Sequence, residues 1–148
     1  MEEVCGSIRR RARSGELAAP DLEDWLDRYL MVLIGAGVGG LARYGLGTAI
    51  MQRLGGRFPW GTFVINVSGS FLIGLLMTLL TERLHPHPNW RLLLVVGFLG
   101  GYTTFSSFEY ETLQATRGGS GWIGLAYVLS SVLCGYAAVW LGATIASR

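Results

Sequence analysis

The sequence predicts an all-α membrane protein with four transmembrane helices per subunit. Three observations carry that prediction. Of 148 residues, 51% are hydrophobic and only 15% are charged, against about 25% charged in an ordinary soluble domain. The apolar residues fall in four long runs, each close to the roughly 20 residues needed to cross a hydrocarbon core of about 30 Å. The 22 glycines suit helices that pack backbone to backbone in a bilayer. A net charge of +2 offers no broad basic surface for a nucleic acid.

Residues 1–30 read as a charged N-terminal extension and residues 31–148 as the membrane domain. The stretch 1–28 holds Arg9, Arg10, Arg11, Arg13 and Arg28 beside seven acids. No apolar h-region follows its basic cluster, so it is not a signal peptide. Asp21 to Leu30 can form a short amphipathic helix with Leu22, Trp25, Leu26 and Tyr29 on one face. The plainer alternative is a flexible extension ahead of a start at Met31. Cys5 in this tail and Cys134 in an apolar run have surroundings too different to imply a disulfide.

The first span is expected from Leu30 to Leu54, the second from Gly61 to Leu80, the third from Leu92 to Thr116 and the fourth from Trp122 to Ala146. Turn signals separate them at residues 55–59, 82–89 and 117–121. Trp60, Trp90 and Trp122 stand at span starts, the pattern of an aromatic belt at the headgroup layer. Counted from Met31, Arg83, Arg91 and Arg148 fall on one side and Arg53, Arg57 and Arg117 on the other. That balance gives insertion no preferred orientation, so two opposed copies can pair. The tail arginines weaken the balance.

Polar groups inside the spans are expensive and each needs an account. Arg43 is the ionised group deep in the first span. It either snorkels and binds backbone carbonyls or forms an electropositive vestibule that attracts anions. Asn66 in the second span offers two N–H donors, for another helix or for a water-filled route. Thr62, Ser68 and Ser70 can bond back to their own helix. In the third span, Gly100-Gly101 followed by Thr103-Thr104 argues against a continuous helix. Carbonyls freed at such a break are a recurring cation site. Phe105 and Phe108 share a face if the helix resumes. They are either core aromatics or ring edges whose positive rim solvates a small anion, with the Ser106 and Ser107 hydroxyls beside them. The fourth span adds Tyr127. His85 and His87, each followed by proline, lack further ligands for a metal site. No Ser-His-Asp, HExxH, Walker or CxxC pattern occurs, so the chain is not read as an enzyme.

Three strings in order, Gly39-Gly40-Leu41-Ala42-Arg43-Tyr44, residues 61–71 (GTFVINVSGSF) and residues 97–108 (GFLGGYTTFSSF), resemble the signatures of the Fluc (CrcB) fluoride channel family. The resemblance runs from Met31 to the C-terminus. It implies a fluoride-specific channel of a microbial inner or plasma membrane that exports the ion passively and lowers its toxicity. It further implies an antiparallel, dual-topology homodimer with two pores and a structural, non-transported Na+ at its centre. By position, the backbone carbonyls of Gly100 and Thr103 from both subunits would hold that Na+. Phe105 and Phe108 would line fluoride sites, Asn66 would donate to the ion, Ser106 and Ser107 would form a polar track, and Tyr127 would line the path. Arg43 would sit near the aqueous vestibule. Glu111 matches an acidic position of the family without an assigned role. The charged tail lies outside the family pattern, and Ser107 stands where threonine is common.

The resemblance agrees with the polar chemistry of the spans. Fluoride is strongly hydrated, and a pore must replace its water with donors that do not trap it. The interiors of the second, third and fourth spans carry no cation. Two rival classes remain at this point. A small four-helix multidrug or cation exporter would need an embedded carboxylate for proton exchange, and the first two spans hold none before Glu82. A membrane-embedded enzyme or accessory subunit would need an acid–base or metal cluster.

Overall fold

The computed structural model describes residues 22–118 and 121–148. Cys5 and the Arg9 to Arg13 cluster lie outside the described residues. The chain divides into two units, Met1–Leu30 and Met31–Arg148. All regular structure among the described residues is helical. Helix α1 is Leu22–Leu54, α2 is Trp60–Thr78 extended by a π-helical turn at Leu79–Arg83, and α5 is Gly121–Ser147. The third span divides into α3, residues 88–102, and α4, Phe105–Arg117. Within α3, Leu92–Leu99 is π-helical. Four helical stretches, Leu22–Leu54, Trp60–Arg83, Pro88–Arg117 and Gly121–Ser147, are long and apolar enough to cross a membrane.

The first helix starts at Leu22, ahead of the expected Leu30. Pairs four residues apart extend it past the apolar run. Asp24 stands one turn before Arg28, and the Trp25 and Tyr29 rings stack at 5.8 Å. Leu22–Leu30 is helical, and all its side chains, Leu22, Trp25, Leu26 and Tyr29 included, are exposed. At 1.5 Å per residue, the 33 residues of α1 measure about 50 Å, well beyond a hydrocarbon core of about 30 Å. His87 caps α3, its Nδ1 accepting from the Asn89 amide at 3.3 Å, so this histidine serves the chain turn.

Two glycine seams hold the membrane unit together. On α1, Gly35 and Gly39 lie one turn apart, and on α3 so do Gly97 and Gly101. A Cβ on Gly35 would overlap the Leu93 carbonyl, on Gly39 the Phe98 carbonyl, and on Gly101 the Ala36 carbonyl. Small residues spaced by four let the backbones touch. The second seam joins α2 to α5, where a Cβ on Gly74 would overlap the Val139 carbonyl and one on Gly142 the Phe71 carbonyl. Between them lies a small core of Ile65, Leu99 and Tyr102, with Ala42, Leu72, Leu76 and Phe98 packed on it. The Ser68 and Tyr102 hydroxyls share a hydrogen bond of 2.8 Å across α2 and α3. Many large apolar side chains, Leu33, Leu41, Phe105, Leu133 and Tyr136 among them, remain exposed. In water that surface would be a liability; in a bilayer it faces lipid or a neighbouring chain.

The seams make a paired prediction. Gly39→Ala drives a methyl into the Phe98 carbonyl, whereas Gly40→Ala meets no atom within 4 Å. Overpacking costs about 1–3 kcal/mol, while alanine in a helix gains about 1 kcal/mol over glycine. Thermal melting in detergent should show Gly39→Ala below the parent and Gly40→Ala at or above it.

Candidate functional site

The third span breaks at Thr103 and Thr104, not at the glycines. Thr103 (φ −86°, ψ 159°) and Thr104 (φ −152°, ψ 122°) are extended. Gly100 and Gly101 stay helical, and Gly101 uses its lack of a Cβ to pack on the Ala36 backbone. The β-branched threonines accept extended backbone readily, and Thr104 caps the resumed helix, its Oγ1 accepting from the Ser107 amide at 3.3 Å.

Asn66 on α2 closes the break. Its Oδ1 accepts from the Thr104 amide at 3.0 Å, and its Nδ2 donates to the Thr104 carbonyl at 3.0 Å. The expected free donor is thus half committed: one Nδ2 hydrogen and the oxygen serve Thr104, and one hydrogen is left. These bonds alter the carbonyls on the α3 side. A continuous α-helix would turn the Thr104 and Ser107 amides back to the carbonyls of Gly100 and Thr103. Both amides are engaged elsewhere, by Asn66 and by the Thr104 hydroxyl.

Two cavities meet at this peptide. The larger, about 740 Å³, is lined by Arg43, Arg57, Thr62, Thr104, Ser107 and Glu111 among others. The smaller, about 370 Å³, is lined by Asn66, Gly100, Thr103, Thr104 and Phe105 among others. Thr104 belongs to both walls. Arg43 lines the larger of the two. Arg57, from the loop that holds Gly55 and Gly56 at positive φ, joins it.

Inside the larger cavity Glu111 is held on both oxygens. Thr62 Oγ1 donates to Oε1 at 2.7 Å, and Tyr127 Oη donates to Oε2 at 2.9 Å. One carboxylate ties α2, α4 and α5 together. Tyr127 is fully buried, and its hydroxyl meets Glu111. Its ring lies 5.0 Å from that of Phe108 and 5.3 Å, edge-on, from that of Phe58. Phe105 and Phe108 have centroids 5.9 Å apart and planes tilted by 39°, but their surroundings differ. Phe108 is buried and Phe105 is 74% exposed. Ser107 receives a hydrogen bond from the Thr104 hydroxyl at 3.1 Å. Ser106 is exposed, 3.5 Å from the same hydroxyl. The sequence reading has Thr62 bonding back to its own helix, whereas the hydroxyl reaches Glu111 on α4; that reading counts Arg57 only as a flanking charge and leaves Glu111 without a partner. The available signal was a hydroxyl and a carboxylate at membrane depth on adjacent spans, where each must find the other.

Comparison with known proteins adds an independent line. A family model described as CrcB-like protein, Camphor Resistance (CrcB), matches residues 30–143. A Solibacter usitatus protein named fluoride-specific ion channel FluC is 69% identical over 121 residues, covering 82% of this chain and 99% of the relative. An Acidobacterium capsulatum protein of the same name is 50% identical over 121 residues, covering 82% and 97%. One from Coxiella burnetii, again so named, is 44% identical over 117 residues, covering 78% and 94%.

The Glu111 knot predicts a stability pattern. Thr62→Val removes the donor to Oε1 and leaves a half-buried carboxylate short of a partner, at a cost of about 1–3 kcal/mol. Adding Glu111→Gln removes the stranded charge. The double variant should therefore melt above the Thr62→Val single variant in detergent, and a double-mutant cycle measures the difference.

Proposed function

Since the chain belongs to the CrcB family, we infer that it is a multi-pass membrane protein that conducts fluoride. The observation that carries this reading is the family match over residues 30–143, joined to a cavity in which Arg43 and Arg57 lead to the amide and hydroxyls around Thr104. An anion gathered by the two guanidiniums would pass to donors of lower charge: the free Nδ2 hydrogen of Asn66 and the hydroxyls of Ser106 and Ser107. The positive ring edges of Phe105 and Phe108 would complete its shell. Each such donor is weak enough to release the ion, which conduction requires. Glu111, with both oxygens hydrogen-bonded, would hold the wall.

Passive export needs no coupling residue. HF crosses membranes as a neutral acid and dissociates in a less acidic cytoplasm. A negative-inside potential then drives fluoride outward, by about 2.3 kcal/mol per charge per 100 mV.

The finer reading is an antiparallel homodimer with a pore on each side and a structural Na+ between the copies. The exposed Phe105 and an exposed Gly100 with no atom within 4 Å of its Cβ position support a second copy on that face. The donor set suits Na+. The amides that would otherwise satisfy Gly100 and Thr103 are engaged by Asn66 and Thr104, and hard cations take such carbonyl oxygens. Two carbonyls are few for a cation, and the same pair from an opposed copy would double them. When bound, Na+ would supply a fixed positive charge that joins the copies.

Fluoride efflux from liposomes carrying the purified chain tests the function directly, with rapid efflux expected and none from protein-free vesicles. Phe105→Ile and Phe108→Ile test the ring-edge step. Isoleucine keeps the apolar character and should cost less than about 1.5 kcal/mol if the site repacks, but it has no polarised edge. Each variant should elute as the parent does while its efflux falls by orders of magnitude. Parent-like efflux in both would show the rings to be packing only.

A further inference from the structure

We propose that Asn66 is a positioning residue for the sodium carbonyls as well as a donor to the anion, so that one amide couples the two ion sites. The inference rests on the sodium reading above and adds to it the residue that sets the ligands.

A peptide unit is planar and trans, so its N–H and C=O are fixed to point in opposite directions. The amide of Thr104 and the carbonyl of Thr103 belong to one such unit. Asn66 Oδ1 grips that amide at 3.0 Å, and in doing so sets the direction of the Thr103 oxygen on the far side of the same plane. Asn66 Nδ2 grips the next peptide through the Thr104 carbonyl, also at 3.0 Å. The units flanking Thr104 are thus both held, which defines its extended conformation.

The same bond acts on Gly100. In an unbroken α-helix the Thr104 amide would be the partner of the Gly100 carbonyl. Asn66 takes that amide, and the Gly100 oxygen is left for another partner. Asn66 Oδ1 thus frees the Gly100 oxygen and sets the direction of the Thr103 oxygen, whose own helical partner, the Ser107 amide, is taken by the Thr104 hydroxyl. The remaining Nδ2 hydrogen stays available to an anion. Asn66, Gly100, Thr103, Thr104 and Phe105 line one cavity, so the coupled groups are neighbours. A side chain serving only the pore would not need its oxygen committed to the backbone at the break.

Outer residues that orient metal ligands typically cost 10–100-fold in metal affinity when removed, and that sets the scale of the test. The full chain in detergent is melted across a NaCl series, with N-methylglucamine chloride holding ionic strength constant. The parent should show a saturable, sodium-specific rise in melting temperature. Asn66→Ala loses the acceptor, and its sodium midpoint should rise by about tenfold or more. Asn66→Asp keeps the acceptor for the Thr104 amide but loses the donor to the Thr104 carbonyl, so its midpoint should rise by well under about tenfold. Liposomes carrying Asn66→Asp should nevertheless lose fluoride efflux, because a carboxylate replaces the amide donor in the anion path. Ser106→Ala leaves both bonds to Thr104 intact and should keep the parent midpoint. A parent-like midpoint in Asn66→Ala overturns the proposal, as does an Asn66→Asp midpoint displaced as far as the alanine variant's. If Asn66→Ala does not fold, the Asn66→Asp midpoint decides alone. A parent without sodium-specific stabilisation removes the sodium reading and this inference together, whereas a sodium-responsive parent with a parent-like Asn66→Ala midpoint removes this inference only.

Discussion

The peptide between Thr103 and Thr104 is the constraint on which the rest of the site depends. Within a bilayer every backbone polar group needs a partner, since an unsatisfied one costs several kcal/mol. A helix that stops in mid-membrane is affordable only where protein fills the gap. Asn66 does so with two 3.0 Å hydrogen bonds to one residue, and the Thr104 hydroxyl takes the Ser107 amide. What these bonds leave over is a directed pair of carbonyls on one side and a single amide hydrogen on the other. Those leftovers have opposite polarity, and they lie in one cavity wall. The break thus presents the groups that the proposed cation and anion sites would use within a few residues of each other, with no ionised side chain among them.

Holding the break in register requires the flanking helices to be close and rigid, and the glycine seams supply this. Gly35 and Gly39 set α1 against the carbonyl row of α3, and Gly74 and Gly142 set α2 against α5. Contact at the backbone leaves no side chain to flex between the elements. Gly69 sits directly against the Thr103 methyl, less than one turn beyond Asn66, so the residue that grips the break and the wall that backs it come from the same helix. The Glu111 knot secures α4 in the same manner from the other end, through Thr62 on α2 and Tyr127 on α5. Since α2 supplies Thr62, Asn66 and Gly69, it is the frame against which both halves of the third span are placed.

The four spans were legible because hydrophobic length is a strong signal: a bilayer imposes it residue by residue. The interruption of the third span was legible in kind but not in place. A glycine pair and a threonine pair compete as helix breakers on propensity alone, and only the packing of Gly101 on Ala36 decides for the threonines. Asn66, Arg43 and the serines stood out because polar groups at depth are rare. Their partners did not, since hydrogen bonds such as Asn66 to Thr104 and Thr62 to Glu111 cross 38 and 49 residues of sequence. Phe105 and Phe108 look alike three positions apart, yet one is exposed and one buried. Periodicity assigns them a common face and cannot say which neighbour covers each. The early start of α1 escaped because its first turns are exposed and carry no apolar run, with the Trp25 and Tyr29 rings stacked four residues apart.

The distribution of charge along the larger cavity follows from what an anion route must avoid. Arg43 and Arg57 are full cations, and at a narrow point either would hold fluoride too strongly to release it. They line the wide cavity, where water shares the load and the field acts at a distance. Towards Thr104 the groups are neutral, the hydroxyls of Thr104 and Ser107 and, in the smaller cavity, the amide of Asn66. Glu111 would oppose an anion if its charge were open to the cavity. Its two oxygens instead receive hydroxyl protons at 2.7 and 2.9 Å, which draws the local positive ends of Thr62 and Tyr127 onto the carboxylate and blunts its field. The price is that both hydroxyls are oriented away from a passing ion. In the proposed anion route the amide of Asn66 would therefore carry a larger share of the donation than the number of nearby polar groups suggests, and that amide is also the one holding the break.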